Sequence, residues 1–218
     1  GQLDMDRLDY LRRDSFFSGV SEGVVSSQRI IKMLNIVNDE LVVEEKGIYS
    51  LEKFIVARRL MYWQVYLHKT VISAEYMLIK IMERAKVHAR EGVDLFCSPN
   101  LRLFLYHRQP RGAFEENPEI LEAFAGLDDY DILGAIKVWC KHEDRVLSEL
   151  CTRLIDRRLF KIQMRRGEFS EEEIAQLSDQ IQSSMNLKAD ELGYFLVHDD
   201  ISNLAYAADD EHINILMK

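Results

Sequence analysis

Between Ser50 and Gly92 the chain has neither Gly nor Pro, and its apolar positions keep near-helical spacing. Phe54, Ile55, Leu60, Met61, Val65, Val71, Ile72, Met77, Leu78 and Ile81 would fall on one slowly drifting helix face. A single helix of about 40 residues is long for a globular domain, so the pattern predicts one long central helix or two with a break. Upstream, residues 2–13 read as a helix ending in the Ser- and Gly-rich stretch from Asp14 to Gly23. Ser26 or Ser27 can cap a short helix through Leu34. Asn35-Ile36-Val37 and Glu40-Leu41-Val42-Val43, joined by Asn38-Asp39, predict a small β-hairpin.

Downstream, Pro99 and Pro110 flank a short helix at 101–106, and Pro118 after Asn117 opens another. Helices follow at 131–140 and 143–157. The C-terminal third changes character. Ser170 and Glu173 form a capping box for a helix to about Met185. Apolar runs at 159–164, 194–197, 203–206 and 213–216 predict short strands. The expected fold is mainly α, with a small β-hairpin and a smaller α+β C-terminal region. The expected division is a helical domain at 1–158 and a small α+β subdomain at 159–218.

Composition excludes more than it selects. At 218 residues and 25.5 kDa the chain can bury a real core. No apolar run reaches the about 18 residues of a membrane span, and no signal-peptide pattern opens it, so no membrane partner is expected. Cys97, Cys140 and Cys151 are widely spaced and odd in number, which suits reduced thiols in a cytoplasmic protein. A net charge of −9 disfavours nonspecific nucleic-acid binding. It leaves room for a local basic pocket.

Three constellations carry candidate chemistry. Asp6, Tyr10 and Asp14 recur every four residues, which places a carboxylate, a phenol and a carboxylate on one stripe. Arg58, Tyr62 and Tyr66 repeat that spacing, with His68 and Lys69 just beyond. An arginine fork and neutral phenol donors suit a polyphosphate; a half-buried packing face is the bland alternative. Arg153, Arg157, Arg158, Lys161, Arg165 and Arg166 form a basic cluster that could hold an anion or be a solvated face paired with neighbours such as Asp156. The six histidines show no metal-ligand spacing, and no glycine-rich phosphate loop or nucleophile motif occurs.

The opening residues Gln2-Leu3-Asp4-Met5-Asp6-Arg7-Leu8-Asp9-Tyr10-Leu11, then Arg13-Asp14 and Gly19, resemble the last metal-binding motif of HD-domain phosphohydrolases. The branch resembled contains bacterial dGTP triphosphohydrolases and the sterile-alpha-motif/HD-domain dNTP triphosphohydrolase. Ala57-Arg58, Met61, Val65-Tyr66 and His68-Lys69 are similar to that family's substrate helix, and Arg157-Arg158-Leu159-Phe160-Lys161 to a later effector motif. The resemblance implies Asp6 as a ligand of a divalent metal (Mg, Mn or Fe). It implies Arg7 and Arg58 at substrate phosphates, Tyr10 and Asp14 at the nucleoside end, and Tyr66 at the substrate. Tyr62 stands where the mammalian enzyme has a histidine. His68, Lys69, Arg157 and Lys161 become candidates for an effector site.

The family's first His, its His-Asp pair and its acid/base histidines would precede Asp6, and no histidine precedes Asp6 in this sequence. The expectation is a C-terminal piece of a metal-dependent nucleotide phosphohydrolase, inactive by itself and assembling as a homo-oligomer. The alternative is a non-catalytic helical module for nucleotide sensing or protein interaction.

Overall fold

The structure is a computed structural model and describes residues 3–200 and 212–217. Ten α-helices are described: α1 (Met5–Ser18), α2 (Ser27–Lys32), α3 (Ile48–Met61), α4 (Lys69–Arg90), α5 (Pro99–Tyr106), α6 (Arg111–Glu116), α7 (Pro118–Ala125), α8 (Asp129–Trp139), α9 (Arg145–Ile155) and α10 (Glu171–Met185). Strands β1 (Leu34–Val37), β2 (Glu40–Glu44) and β3 (Asn214–Leu216) form one sheet in the order β1-β2-β3. The expected mainly α fold with a small hairpin is what forms.

The long apolar segment does break. A π-helical turn, Tyr62–Tyr66, follows α3 and is closed by the Leu67 N–H donating to the Tyr62 carbonyl at 2.7 Å. His68 then caps α4: its Nδ1 accepts from Thr70 N, and its carbonyl accepts from Val71 and Ile72 N–H. The hairpin turns where expected, because Asn38 and Asp39 both adopt positive φ (54° and 64°), the conformation a two-residue type I′ turn requires. β1 pairs antiparallel with β2 from Leu34↔Val43 to Val37↔Glu40. β3 joins β2 in parallel, Val43 opposite Ile215.

The described residues form two compact units, one of residues up to Ile72 with those from Asp199 onward, the other Ser73–His198. The division expected at 158/159 falls inside the second. The first unit packs Leu3, Leu8, Leu11, Ile30, Val43, Leu51, Phe54 and Met61 into a core. Leu8 and Leu11 are 3% and 0% exposed, and burying each contributes about 1.5–3 kcal/mol. The second unit has a larger core that includes Met77, Ile81, Trp139, Leu147 and Leu150.

Two expected strands do not form. Residues 159–164 are irregular: Leu159, Phe160 and Ile162 are half-buried, yet the Phe160 carbonyl accepts from the Ser73 hydroxyl at 2.9 Å instead of a neighbouring strand. Residues 194–197 follow a short 3₁₀ turn, Leu192–Tyr194, and pack Tyr194 and Phe195 on the second core. In both, alternation reflected burial without a ladder partner. The strand expected at 203–206 lies outside the described residues. The helix α6 went unread in the sequence.

Candidate functional site

Helices α1 and α3 build one wall in the first unit. Asp4 caps α1, its carboxylate accepting the Arg7 N–H at 2.9 Å, and Gly19 ends the helix in the left-handed conformation. Gly23 lets the next turn lie against that wall. A Cβ there would stand 2.8 Å from the Leu11 carbonyl oxygen and 3.1 Å from Met61 Sδ. The α1 backbone and the end of α3 are thereby fixed in one packing unit.

On this frame, residues far apart in sequence converge. The Tyr66 hydroxyl donates to Asp14 Oδ2 at 2.7 Å across 52 residues. The Tyr66 ring meets Tyr10 edge-on at 6.0 Å and Tyr62 edge-on at 5.2 Å. Arg58 is buried, 5% exposed, and its guanidinium hydrogen-bonds the Tyr10 phenol. Burial raises the Tyr10 phenol above its ordinary value, and the positive charges of Arg58 and Arg7 pull back against it. Burial, then the hydrogen bond to Asp14, pushes the Tyr66 phenol far up. Both phenols are neutral hydrogen-bond donors at neutral pH. Asp14 keeps Oδ1 without a hydrogen bond among the described residues. A buried cation, neutral donors and a carboxylate with a vacant acceptor can together grip a ligand carrying both phosphate and hydroxyl groups.

Asp6 is exposed in the first turn of α1. Among the described residues, no three His, Cys, Asp or Glu side chains form a group that could hold a metal ion. One carboxylate does not fit a catalytic metal by itself. Arg7 lies 3.7 Å from Asp4. His68 and Lys69 are exposed in the first unit, Arg157 and Lys161 exposed in the second. Arg157 ends α9 with a positive φ of 57°. Half of the basic cluster is paired in place: Arg153 pairs with Glu149 at 2.7 Å, Arg158 with Asp156 at 3.2 Å, and Arg165 grips both Glu173 oxygens at 2.9 and 2.7 Å.

A second polar network escaped the sequence. Asp144 receives Arg84 through both oxygens, at 3.1 and 2.5 Å, and the Leu147 N–H at 2.7 Å. His88 Nε2 lies 3.4 Å from the same carboxylate, and the His142 ring stands 5.2 Å from that of His88. Burial works to raise the Asp144 carboxyl, but Arg84, Leu147 and His88 together hold it well below the carboxylate range. The one local signal was Asp144 at an N-cap position before an apolar run. Nothing in the sequence pairs it with Arg84.

Residues 25–95 match the family model of the HD associated region, a stretch that includes Arg58, Tyr62, Tyr66, His68 and Lys69. A crystal structure of a phosphohydrolase from Bacteroides thetaiotaomicron matches with a TM-score of 0.89 and 50% identity, covering 100% of this chain and 54% of that one. The uncharacterised protein YwfO of Bacillus subtilis is 35% identical over 205 residues, 94% of this chain and 44% of its own length. A deoxynucleoside triphosphate triphosphohydrolase SAMHD1 homologue of Dictyostelium discoideum is 34% identical over 76 residues, 35% of this chain and 15% of that protein. The chain thus spans about half the length of the relatives it matches end to end. No described helix is long and apolar enough to cross a membrane.

Proposed function

We propose that the chain forms the substrate-contacting part of a metal-dependent HD-type phosphohydrolase that acts on nucleoside triphosphates, with deoxynucleoside triphosphates as the expected substrates. One observation carries this: Arg58, Tyr10, Tyr66 and Asp14 meet on a single wall. The Bacteroides phosphohydrolase and the Dictyostelium triphosphohydrolase homologue support the reaction class.

Arg58 and Arg7 would bind the polyphosphate and offset charge that develops on the leaving oxygens. Asp14 would accept a hydrogen bond from a sugar hydroxyl through Oδ1 while Tyr66 fixes its other oxygen. Tyr10 and Tyr62 would flank the nucleoside. Asp6 would contribute one ligand to a Mg, Mn or Fe ion in the whole protein, where the metal would supply an activated water. The described residues do not complete that ligand set, so Asp6 rests on the motif alone. His68, Lys69, Arg157 and Lys161 remain effector-site proposals. Assembly with further copies is supported by the exposed Phe16 and Phe17, 80% and 82% accessible at the end of α1.

The test is an assay of this chain beside the whole protein with deoxynucleoside triphosphates and Mn²⁺, reading released triphosphate. The whole protein should turn over and this chain should not. Equal turnover by both would overturn the inactivity of the chain alone. No turnover by the whole protein would overturn the substrate class.

A further inference from the structure

We propose that the second unit carries its own nucleoside-phosphate site, in a cleft between the C-terminal half of α4, the end of α5 and α6. The cleft has a volume of about 360 Å³ and is lined by Lys86, Arg90, His107 and Arg108 together with Phe104 and Phe114, among others. That volume lies near the lower end of the roughly 300–1,000 Å³ of small-ligand pockets, enough for a mononucleotide and too little for a long polymer segment.

The charge is the first argument. The chain as a whole carries −9, yet no acidic side chain lines this cleft among the described residues. Lys86, Arg90 and Arg108 make no ion pair among the described residues, whereas Arg153, Arg158 and Arg165 are each paired with a neighbouring carboxylate. Lys86 and Arg90, four residues apart, share one face of α4. The helix dipole accounts for a cation in the last turn, where Arg90 sits, but not for Lys86 a turn earlier. Nor does it account for Arg108, which lies on the loop between α5 and α6. Three convergent cations without carboxylates match a di- or triphosphate.

The aromatic wall is the second argument. The Phe104 and Phe114 rings are nearly parallel, 12° apart at 6.1 Å, and Phe124 meets both edge-on at 5.8 and 5.6 Å. The three rings brace one another, so the two that line the cleft form a fixed aromatic wall. A nucleobase stacks on such a surface whatever its identity. A bare anion would have no use for it.

Photolabelling locates the ligand directly. The chain is irradiated with 8-azido-ATP, and the adduct is mapped by mass spectrometry. The expected adduct falls within residues 104–114, is protected by ATP, and is at least tenfold weaker in the Lys86→Ala/Arg90→Ala double variant. Arg108→Ala, on a loop, should weaken it several-fold, so the result does not hang on one variant's folding; circular dichroism checks both. Unlabelled inorganic triphosphate should compete at least tenfold less well than ATP. Labelling unchanged in both variants overturns the site. Equal competition by triphosphate overturns the nucleoside class. An adduct confined to Tyr10, Tyr62 or Tyr66 overturns this site while leaving the α1–α3 wall supported.

Discussion

Asp14 and Asp144 are two carboxylates, each bound by a partner more than 50 residues away, and they are built for opposite ends. Asp144 is saturated: an arginine fork, a backbone N–H and a histidine surround it, with only 14% of the side chain exposed. Nothing is left over for a ligand. Asp14 takes one bond from a neutral phenol and keeps an oxygen to spare. A saturated carboxylate fixes a helix start; a half-satisfied one, held by a tyrosine that packs on the partner of a buried arginine, suits recognition. Completeness of hydrogen bonding separates scaffold from candidate site better than the residue types do.

The largest expected effect lies at Asp144. Asp144→Ala leaves Arg84 without its fork and α9 without its cap, and should cost about 2–4 kcal/mol of stability, read by urea or thermal unfolding. Asp144→Asn should cost less, because asparagine still caps. The carboxyl is held below its unfolded value, so its contribution is complete above the ordinary carboxylate range and lost as pH falls below it. The difference between wild type and Asp144→Asn should therefore shrink on acidification below about pH 4. A difference independent of pH would mean that the Arg84 pairing contributes nothing to folding.

Tyr66→Phe tests the other half of the comparison. It deletes one hydrogen bond and keeps the ring contacts with Tyr10 and Tyr62. Its stability cost should be about 1 kcal/mol or less. In the whole protein, the same change should raise KM for a deoxynucleoside triphosphate several-fold, because Asp14 loses the bond that orients it. A stability loss as large as that of Asp144→Ala, with KM unchanged, would make Tyr66–Asp14 a second scaffold pair and erase the distinction.

What could be read in advance follows the range of each interaction. Local rules placed the Asn38-Asp39 turn, the Pro118 helix start and the Ser170–Glu173 capping box, because each is settled within four residues. The break near His68 was expected only as one of two options, since its π turn depends on packing. Residues 159–164 and 194–197 misled because half-buried coil alternates much as a strand does. The four-residue repeats at Asp6–Asp14 and Arg58–Tyr66 marked two helix faces; only the fold brings Tyr66 to Asp14. Arg84 with Asp144, 60 residues apart, and the Lys86–Phe114 cleft carry no motif at all.

The smallest effect belongs to an exposed pair, Arg165 and Glu173, which lies between the two carboxylates in design. Glu173 is bound by both Arg165 nitrogens and accepts the Ser170 N–H at 2.9 Å, so it is as fully used as Asp144 but open to solvent. Arg165, then Ser170, hold its carboxyl down at about 2 against an ordinary 4.5. The pair's support for α10 is present above pH 4.5 and disappears as pH falls through about 2. A side-chain NMR titration should give Glu173 a midpoint near 2, moving toward 4.5 in Arg165→Ala. Because water screens this pair, 0.5 M salt should raise the midpoint, while the more buried Asp144 should scarcely respond. Equal salt sensitivity at both carboxylates would show that burial, and not the number of partners, is the wrong basis for ranking them.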